Sequence, residues 1–478
     1  MELVDFSPLA LHSPVLSTLV VAVLPLLLLY TLWTRLLCPL LYSPLRHIPS
    51  AHPSAPFSSL WIHYVRHQFR ENQTLLQAHQ RLGDVIRLGP NEVSINCVDN
   101  GLRTVYAGGY EKPKWYPNLF TNYDGVEIMF ATMESGPHSA RKRMMSNVYA
   151  KSYLQSSPTM SLVAKNVIYG RLLPLLQVKE RMGATVNIRR LLECATMDFV
   201  AGYMFGYRSG SNFLRNSDEA AKWLGDYQSR KAYTFWPQEM PRFTKFLARI
   251  GIHMSPKWVS AANHDLEAWC LGHCDDAEEN LLHSQSTEME LKDDQPEVYA
   301  QLRAQLQKES EKSNAVPLSN APHRLQIASE MLDHLSAGHE TSAITLTFLF
   351  YELSRRPSLQ RRLHAELQTV NPLIALPTST SDPRELPPAK AIDTLPLLHA
   401  ILMETLRRHP AIPGPQPRVT PVPKRREDNT IGHYTSIPAG IRISANAYCL
   451  HHNPQVFPDP DTWIPERWLD PFVHPELA

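Results

Sequence analysis

The residues best equipped for chemistry lie in Ala337-Gly338-His339-Glu340-Thr341-Ser342. A carboxylate beside a hydroxyl can pass protons inward to a bound group, and a glycine lets such a group approach the backbone closely. The same hexapeptide also reads as a packing notch in a helix with one surface acid, because Gly and a β-branched Thr both weaken a helix interior. His339-Glu340 is not a zinc signature, since no His follows at the spacing zinc needs. Glu404 and Arg407 stand three apart, so a helix would pair them on one face. Exposed pairs of that kind contribute about 0–1 kcal/mol. Pro465-Glu466-Arg467-Trp468, after Phe457-Pro458-Asp459-Pro460, reads as a Pro-bounded turn with one charged pair. The six cysteines, Cys38, Cys97, Cys194, Cys270, Cys274 and Cys449, are scattered, which argues against a secreted disulfide scaffold. Cys270-Leu-Gly-His-Cys274 lacks a second ligand pair for a metal, and residues 269–282 fit an ordinary helix.

These groups need elements to hold them. Patterns from about residue 136 to 368 are mostly helical. The longest run, 324–356, is closed by Pro357 and would be roughly 50 Å long. It carries the hexapeptide. A further helix over 397–408 stops before Pro410 and carries Glu404 and Arg407. Val85-Ile86-Arg87-Leu88 and Val93-Ser94-Ile95-Asn96-Cys97 flank Gly89-Pro90-Asn91-Glu92 and predict a hairpin. Residues 440–444 read as another strand. The proline-rich stretch 371–396 reads as a loop, and the charge-dense stretch 283–313 as a solvated helix or loop. The expected fold class is mainly α with a small β region.

The chain has 478 residues with 47 Lys+Arg against 46 Asp+Glu, a net charge of +1. That balance gives no footprint for nucleic acid. Hydrophobic residues are 43%, enough for a sizeable core, and the 40 prolines punctuate many loops. No charged residue lies between Asp5 and Arg35. Residues 15–33, VLSTLVVAVLPLLLLYTLW, would make a helix about 28 Å long, close to the hydrocarbon thickness of a bilayer. Pro25 would kink it, and Tyr30 and Trp33 suit an interface. Glu2 and Asp5 precede it and Arg35 and Arg46 follow, which puts the N-terminus in a lumen and the body in the cytosol. A signal peptide fits less well, having neither a basic start nor a small-residue cleavage site here. The expected organisation is a lumenal tail (1–14), a transmembrane anchor (15–33), a stiff, non-helical connector (34–57) with Pro39, Pro44, Pro49, Pro53 and Pro56, and a body (58–478).

Taken in order, the anchor, the connector, Ala-Gly-x-Glu-Thr, Glu-x-x-Arg and Pro-Glu-Arg-Trp resemble the cytochrome P-450 family, the heme-thiolate monooxygenases, over nearly the whole chain. The hairpin and residues 445–468 resemble its fungal, microsomal members. The resemblance implies the cytochrome P-450 fold, heme b as cofactor, electrons from NADPH through a cytochrome reductase, and insertion of one oxygen atom from O2 into a lipophilic metabolite. It implies a single-pass protein of the endoplasmic reticulum membrane. It makes Glu340 and Thr341 the catalytic acid–alcohol pair, and Ala337 and Gly338 the groove for O2 above the heme. Glu404, Arg407 and Arg467 become a buried structural triad. His138, Lys142 and Arg418 become the cations for the heme propionates. The family more often has Arg or Trp in the first two places, and Arg141-Lys142-Arg143 also reads as a solvated helix face. Residues 117–130, with Tyr123, Met129 and Phe130, together with 335–341 and 411–415, would line the substrate pocket.

One part of the family pattern is missing. The family holds iron with a Cys thiolate in a Phe-x-x-Gly-x-x-x-Cys-x-Gly loop beyond Pro-Glu-Arg. No such loop follows Arg467, and no cysteine follows Cys449. Cys449 itself, in Ala447-Tyr448-Cys449-Leu450-His451, matches a different family segment. The metal ligand is therefore expected to be absent from this sequence. The sequence is then a truncated or mis-spliced version of an active enzyme, a degenerate relative, or a piece of a longer protein. Two functions follow: a monooxygenase, or a non-catalytic scaffold or pseudoenzyme.

Overall fold

Residues 23, 25–284, 293–312, 321–374, 385–422 and 429–469 are described in a computed structural model of the chain. Two units are distinguished, Met1–Tyr110 with Gln416–Cys449, and Glu111–Pro415 with Leu450–Ala478.

The first unit holds helices α1 (Leu60–His67) and α2 (Glu71–Leu82) and a four-stranded sheet of β1 (Val85–Gly89), β2 (Glu92–Ile95), β3 (Arg418–Val419) and β4 (Arg442–Ala445), in the order β1-β2-β4-β3. The hairpin expected from the sequence is present, with Val85 opposite Ile95. β2 pairs in parallel with β4, Glu92 opposite Arg442. Every residue of β1 and β2 is buried, so both faces of the hairpin are covered although its sequence alternates. The polar members survive burial because they are paired. Arg87 donates to the carbonyls of Gly89 and Pro90, and Glu92 lies between Arg66 and Arg442. Ile62, Leu75, Ile86, Leu88 and Cys449 form the core here.

The connector departs from expectation. Cys38–Leu41 is α-helical and Pro44–His47 is a 3-10 turn. Ser43 caps that turn through the Leu45 N–H at 3.2 Å, and Pro44 takes the first helical position, where a missing N–H costs nothing. The tail 1–14 and the anchor's residues 15–22 and 24 lie outside the described residues. Residues 25–32 are helical, with Leu26, Leu27, Leu28, Leu29 and Tyr30 exposed. Among the described residues no helix is long and apolar enough to cross a membrane.

The second unit is mainly helical. It contains α3 (Ser135–Met145), α4 (Ile188–Phe205), α5 (Ser217–Ser229), α6 (Lys257–Ser284), α7 (Glu297–Lys312), α8 (Ala321–Ser354) and α9 (Pro396–Arg408). α8 is the long helix read from the sequence, shifted by two or three residues at each end. Its buried stripe, Ala328, Met331, Leu332 and Leu335, packs in one core with Met197 and Ala201 of α4, Trp223 of α5 and Leu266 of α6. Two stretches differ from the sequence expectation. The charged stretch contains α7, whose Val298, Leu302 and Leu306 recur every fourth residue and are buried in that core. The proline-rich stretch contains a short helix, Ala389–Asp393, which begins directly after Pro388; residues 375–384 lie outside the described residues. Cys270 and Cys274 are buried within α6, and His273 is turned away to the Ser209 carbonyl. Among the described residues no cluster of His, Cys, Asp and Glu is placed to hold a metal.

Candidate active site

The hexapeptide lies in the middle of α8, and 3.6 residues per turn send its members to different neighbours. Ala337 is exposed, and Thr341, one turn on, shares its stripe, followed by Phe348. The Thr341 hydroxyl donates to the Ala337 carbonyl at 2.7 Å, which occupies its proton and leaves its lone pairs open. Glu340 leaves α8 on the adjacent face. It forms an ion pair with Lys231 and accepts from the Tyr227 hydroxyl at 3.3 Å and the Gln228 amide at 3.4 Å. Burial pushes its carboxyl up, but the hydrogen bond and charge of Lys231 outweigh burial and hold it below the ordinary glutamate value. The acid is therefore kept ionised beside the stripe, and no hydrogen bond joins it to Thr341 among the described residues.

Gly338 differs from its expected role. A Cβ there would meet the two Val200 methyls of α4 at 3.0 and 3.1 Å. The close approach it permits is that of another helix. The crossing is reinforced by Thr196, whose hydroxyl donates to the His339 carbonyl at 2.9 Å. His339 is fully buried between α8 and α5, edge-on to Trp223 and Tyr227, and burial pulls its imidazole down to about 4. Leu335 is core. Tyr123 is held by α6, its N–H and hydroxyl both bound to Glu267 at 2.7 and 2.8 Å. Phe130 lies edge-on to Tyr116 and Phe120, with the Lys112 ammonium over its ring and on its carbonyl.

The three cations stand apart in kind. His138 and Lys142 lie four apart on α3, the first half-buried and the second exposed. Their neighbour Arg141 has a structural task, donating to the Glu127 carbonyl at 3.2 Å and the Thr132 hydroxyl at 3.3 Å. Arg418 belongs to the first unit, where it stacks over Tyr106 at 5.1 Å.

Glu404, Arg407 and Arg467 come together. Arg407 donates two hydrogen bonds to the Glu404 carboxylate at 2.9 and 2.7 Å, and Arg467 adds one at 3.2 Å. Two further donors were not read from the sequence, the Ile464 N–H at 2.8 Å and the Trp468 indole at 2.9 Å. Trp468 stood inside the quoted motif, and its indole N–H, a donor that needs a partner when buried, was the signal. Lys231, Tyr227 and Gln228 had no such signal.

Heme needs an apolar face for its ring and a thiolate for its iron. Ala337 and Thr341 suit one face of a flat apolar ring system, while Phe348 further along is stacked on His409 at 4.2 Å. The described cysteines do not suit the iron. Burial pushes the thiols of Cys97, Cys194, Cys274 and Cys449 up, the last to about 12, so they are held neutral, whereas an iron ligand must be a thiolate. The Cys449 thiol is enclosed and directed at the Asn72 carbonyl. The Cys270 thiol is directed at the Ala328 carbonyl.

Residues 53–476 match the family model for cytochrome P-450. The cytochrome P-450 monooxygenase avaI of Aspergillus versicolor is 28% identical over 414 residues, 85% of this chain and 87% of that protein. The monooxygenase hkm5 of Aspergillus hancockii is 26% identical over 445 residues, 90% and 77% of the two chains. The monooxygenase ucsK of an Acremonium species is 24% identical over 453 residues, 90% and 79%.

Proposed function

The chain belongs to the cytochrome P-450 family, and from that premise we propose a membrane-bound, heme-dependent monooxygenase that inserts one oxygen atom from O2 into a lipophilic small molecule of fungal secondary metabolism. The observation that carries this reading is the α8 stripe, with Ala337 exposed, Thr341 beside it and an ionised Glu340 one residue away. Heme b, when bound, supplies the activation of O2. Thr341 supplies a hydroxyl that can leave the Ala337 carbonyl and offer its proton along the stripe. Glu340, held ionised by Lys231, is a carboxylate that must first take up a proton before it can pass one on to that hydroxyl, so its part is that of a relay. His138, Lys142 and Arg418 offer positive charge for carboxylates. Electrons come from NADPH through a cytochrome reductase, and the protein resides in the endoplasmic reticulum membrane with its body in the cytosol.

A second reading, a non-catalytic relative acting as a scaffold, is favoured by one observation: among the described residues the Cys449 thiol is raised by burial and directed at the Asn72 carbonyl. The test is the absorption spectrum of the full chain, expressed with heme, reduced and saturated with CO. A strongly red-shifted Soret band, which reports a thiolate on iron, supports the monooxygenase and sinks the scaffold. Heme-free protein, or a Soret band without that shift, overturns the monooxygenase for this chain.

A further inference from the structure

We infer that the cavity bounded by α3, α7 and α8 is a second ligand site, which takes a small aromatic amine as its ammonium ion and pairs it with Glu330. The cavity has a free volume of about 180 Å³. An engineered apolar cavity of about 150 Å³ holds benzene, so one ring with a short amine arm fits. Its walls are Met129, Met144, Met145, Leu302 and Leu306. Thioethers make favourable contacts with aromatic rings, which selects an aromatic body over a purely aliphatic one.

The polar end of the cavity is formed by Arg141, Gln326 and Glu330, and one oxygen of Glu330 is left without a partner there. Glu330 is 6% exposed. Its Oε1 accepts the Met129 N–H at 2.7 Å, while Oε2 is buried with no partner among the described residues. Arg141 forms a long ion pair with Glu330 but no hydrogen bond to Oε2. Its Nη1 stands 3.9 Å from Oε1 and already serves the Glu127 carbonyl and the Thr132 hydroxyl. Burial pushes this carboxyl up to about 7, so a cationic donor placed at Oε2 would hold it in the ionised, accepting form. Charge then chooses a cation. The exposed Glu309 also lines the cavity, so among its charged lining residues two acids face one cation, Arg141. Ala337, Glu340 and Thr341 do not line the cavity, and Glu330 precedes Ala337 by about 10 Å of helix. The site is thus separate from the stripe.

The test titrates benzylammonium chloride, followed by saturation-transfer NMR and calorimetry, into the detergent-solubilised full chain. Two variants accompany it. Glu330→Gln removes the charge and keeps an acceptor for Met129. Ala140→Phe fills the cavity and leaves Glu330 in place. The expected result is saturable binding to the natural chain, weakened at least tenfold in each variant, with both variants matching the natural chain in circular dichroism. Neutral benzyl alcohol should bind at least tenfold more weakly than the ammonium. No saturable binding to the natural chain overturns the inference. So does benzylammonium affinity that either folded variant leaves unchanged.

Discussion

Glu404 is fully buried and accepts five hydrogen bonds, from Arg407, Arg467, Ile464 and Trp468. Its charge is therefore compensated by groups on two stretches of chain. Removing one partner leaves the others buried without balance, which costs about 3–5 kcal/mol. Arg407→Ala should lower the urea midpoint by a corresponding amount, or leave only aggregated protein. A shift under about 1 kcal/mol would show that water reaches the site. His339 makes a different prediction. Its Nδ1 bonds the Leu335 carbonyl, its Nε2 has no partner among the described residues, and its imidazole is pulled down to about 4 by burial. The native state thus keeps it neutral where the unfolded chain takes a proton. The resulting stability is full above pH 6.5 and is lost as pH falls toward 4, by about 3 kcal/mol. His339→Phe, which keeps an aromatic ring among Trp223 and Tyr227, should remove that loss. Unfolding free energies of both proteins at pH 7 and pH 4.5 measure it, and equal acid losses would refute it.

Gly338 shows how an element can account for a residue that chemistry also explains. An Ala there gains about 1 kcal/mol of helix propensity, but its Cβ presses on Val200, and overpacking costs about 1–3 kcal/mol. Gly338→Ala should destabilise by up to about 2 kcal/mol in equilibrium unfolding. In a Val200→Ala background the same change should be neutral or stabilising, and an unchanged penalty there would disprove the packing account. The sequence made α8, α9 and the first hairpin legible because each is local: a 3.6-residue pattern closed by Pro357, a run stopped before Pro410, a turn of Gly89-Pro90-Asn91. It hid α7, whose buried Val298, Leu302 and Leu306 are spaced among acids and amides that dominate the composition. The site was legible where its residues share one helix turn, as Ala337 and Thr341 do, or one motif, as Arg467 and Trp468 do. Lys231 reaches Glu340 only through the packing of the second unit, which no local pattern encodes.

At the scale of the molecule, residues 25–32 expose a nearly continuous apolar surface. Thr31, and Thr34 just beyond, turn their hydroxyls onto the backbone, donating to the carbonyls of Leu27 and Tyr30 at 2.6 and 2.8 Å. A helix whose hydroxyls bond its own backbone is suited to hydrocarbon. The full chain should therefore stay with membranes through alkaline carbonate extraction, and a chain lacking residues 1–34 should be released; full release of the intact protein would refute the anchor. The sheet of the first unit sets a separate condition. β2 is paired on one side by β1 at once, but its other edge waits for β4, with about 350 residues between Glu92 and Arg442. Synthesis at about 5–20 residues per second makes that wait roughly 20–70 s. Through that interval a strand that ends wholly buried presents an open edge to other nascent chains. The yield of folded protein is thus governed by the duration of translation and by what shields that edge meanwhile, and a host that translates slowly without chaperone cover should lose this chain to aggregation before its native stability has any say.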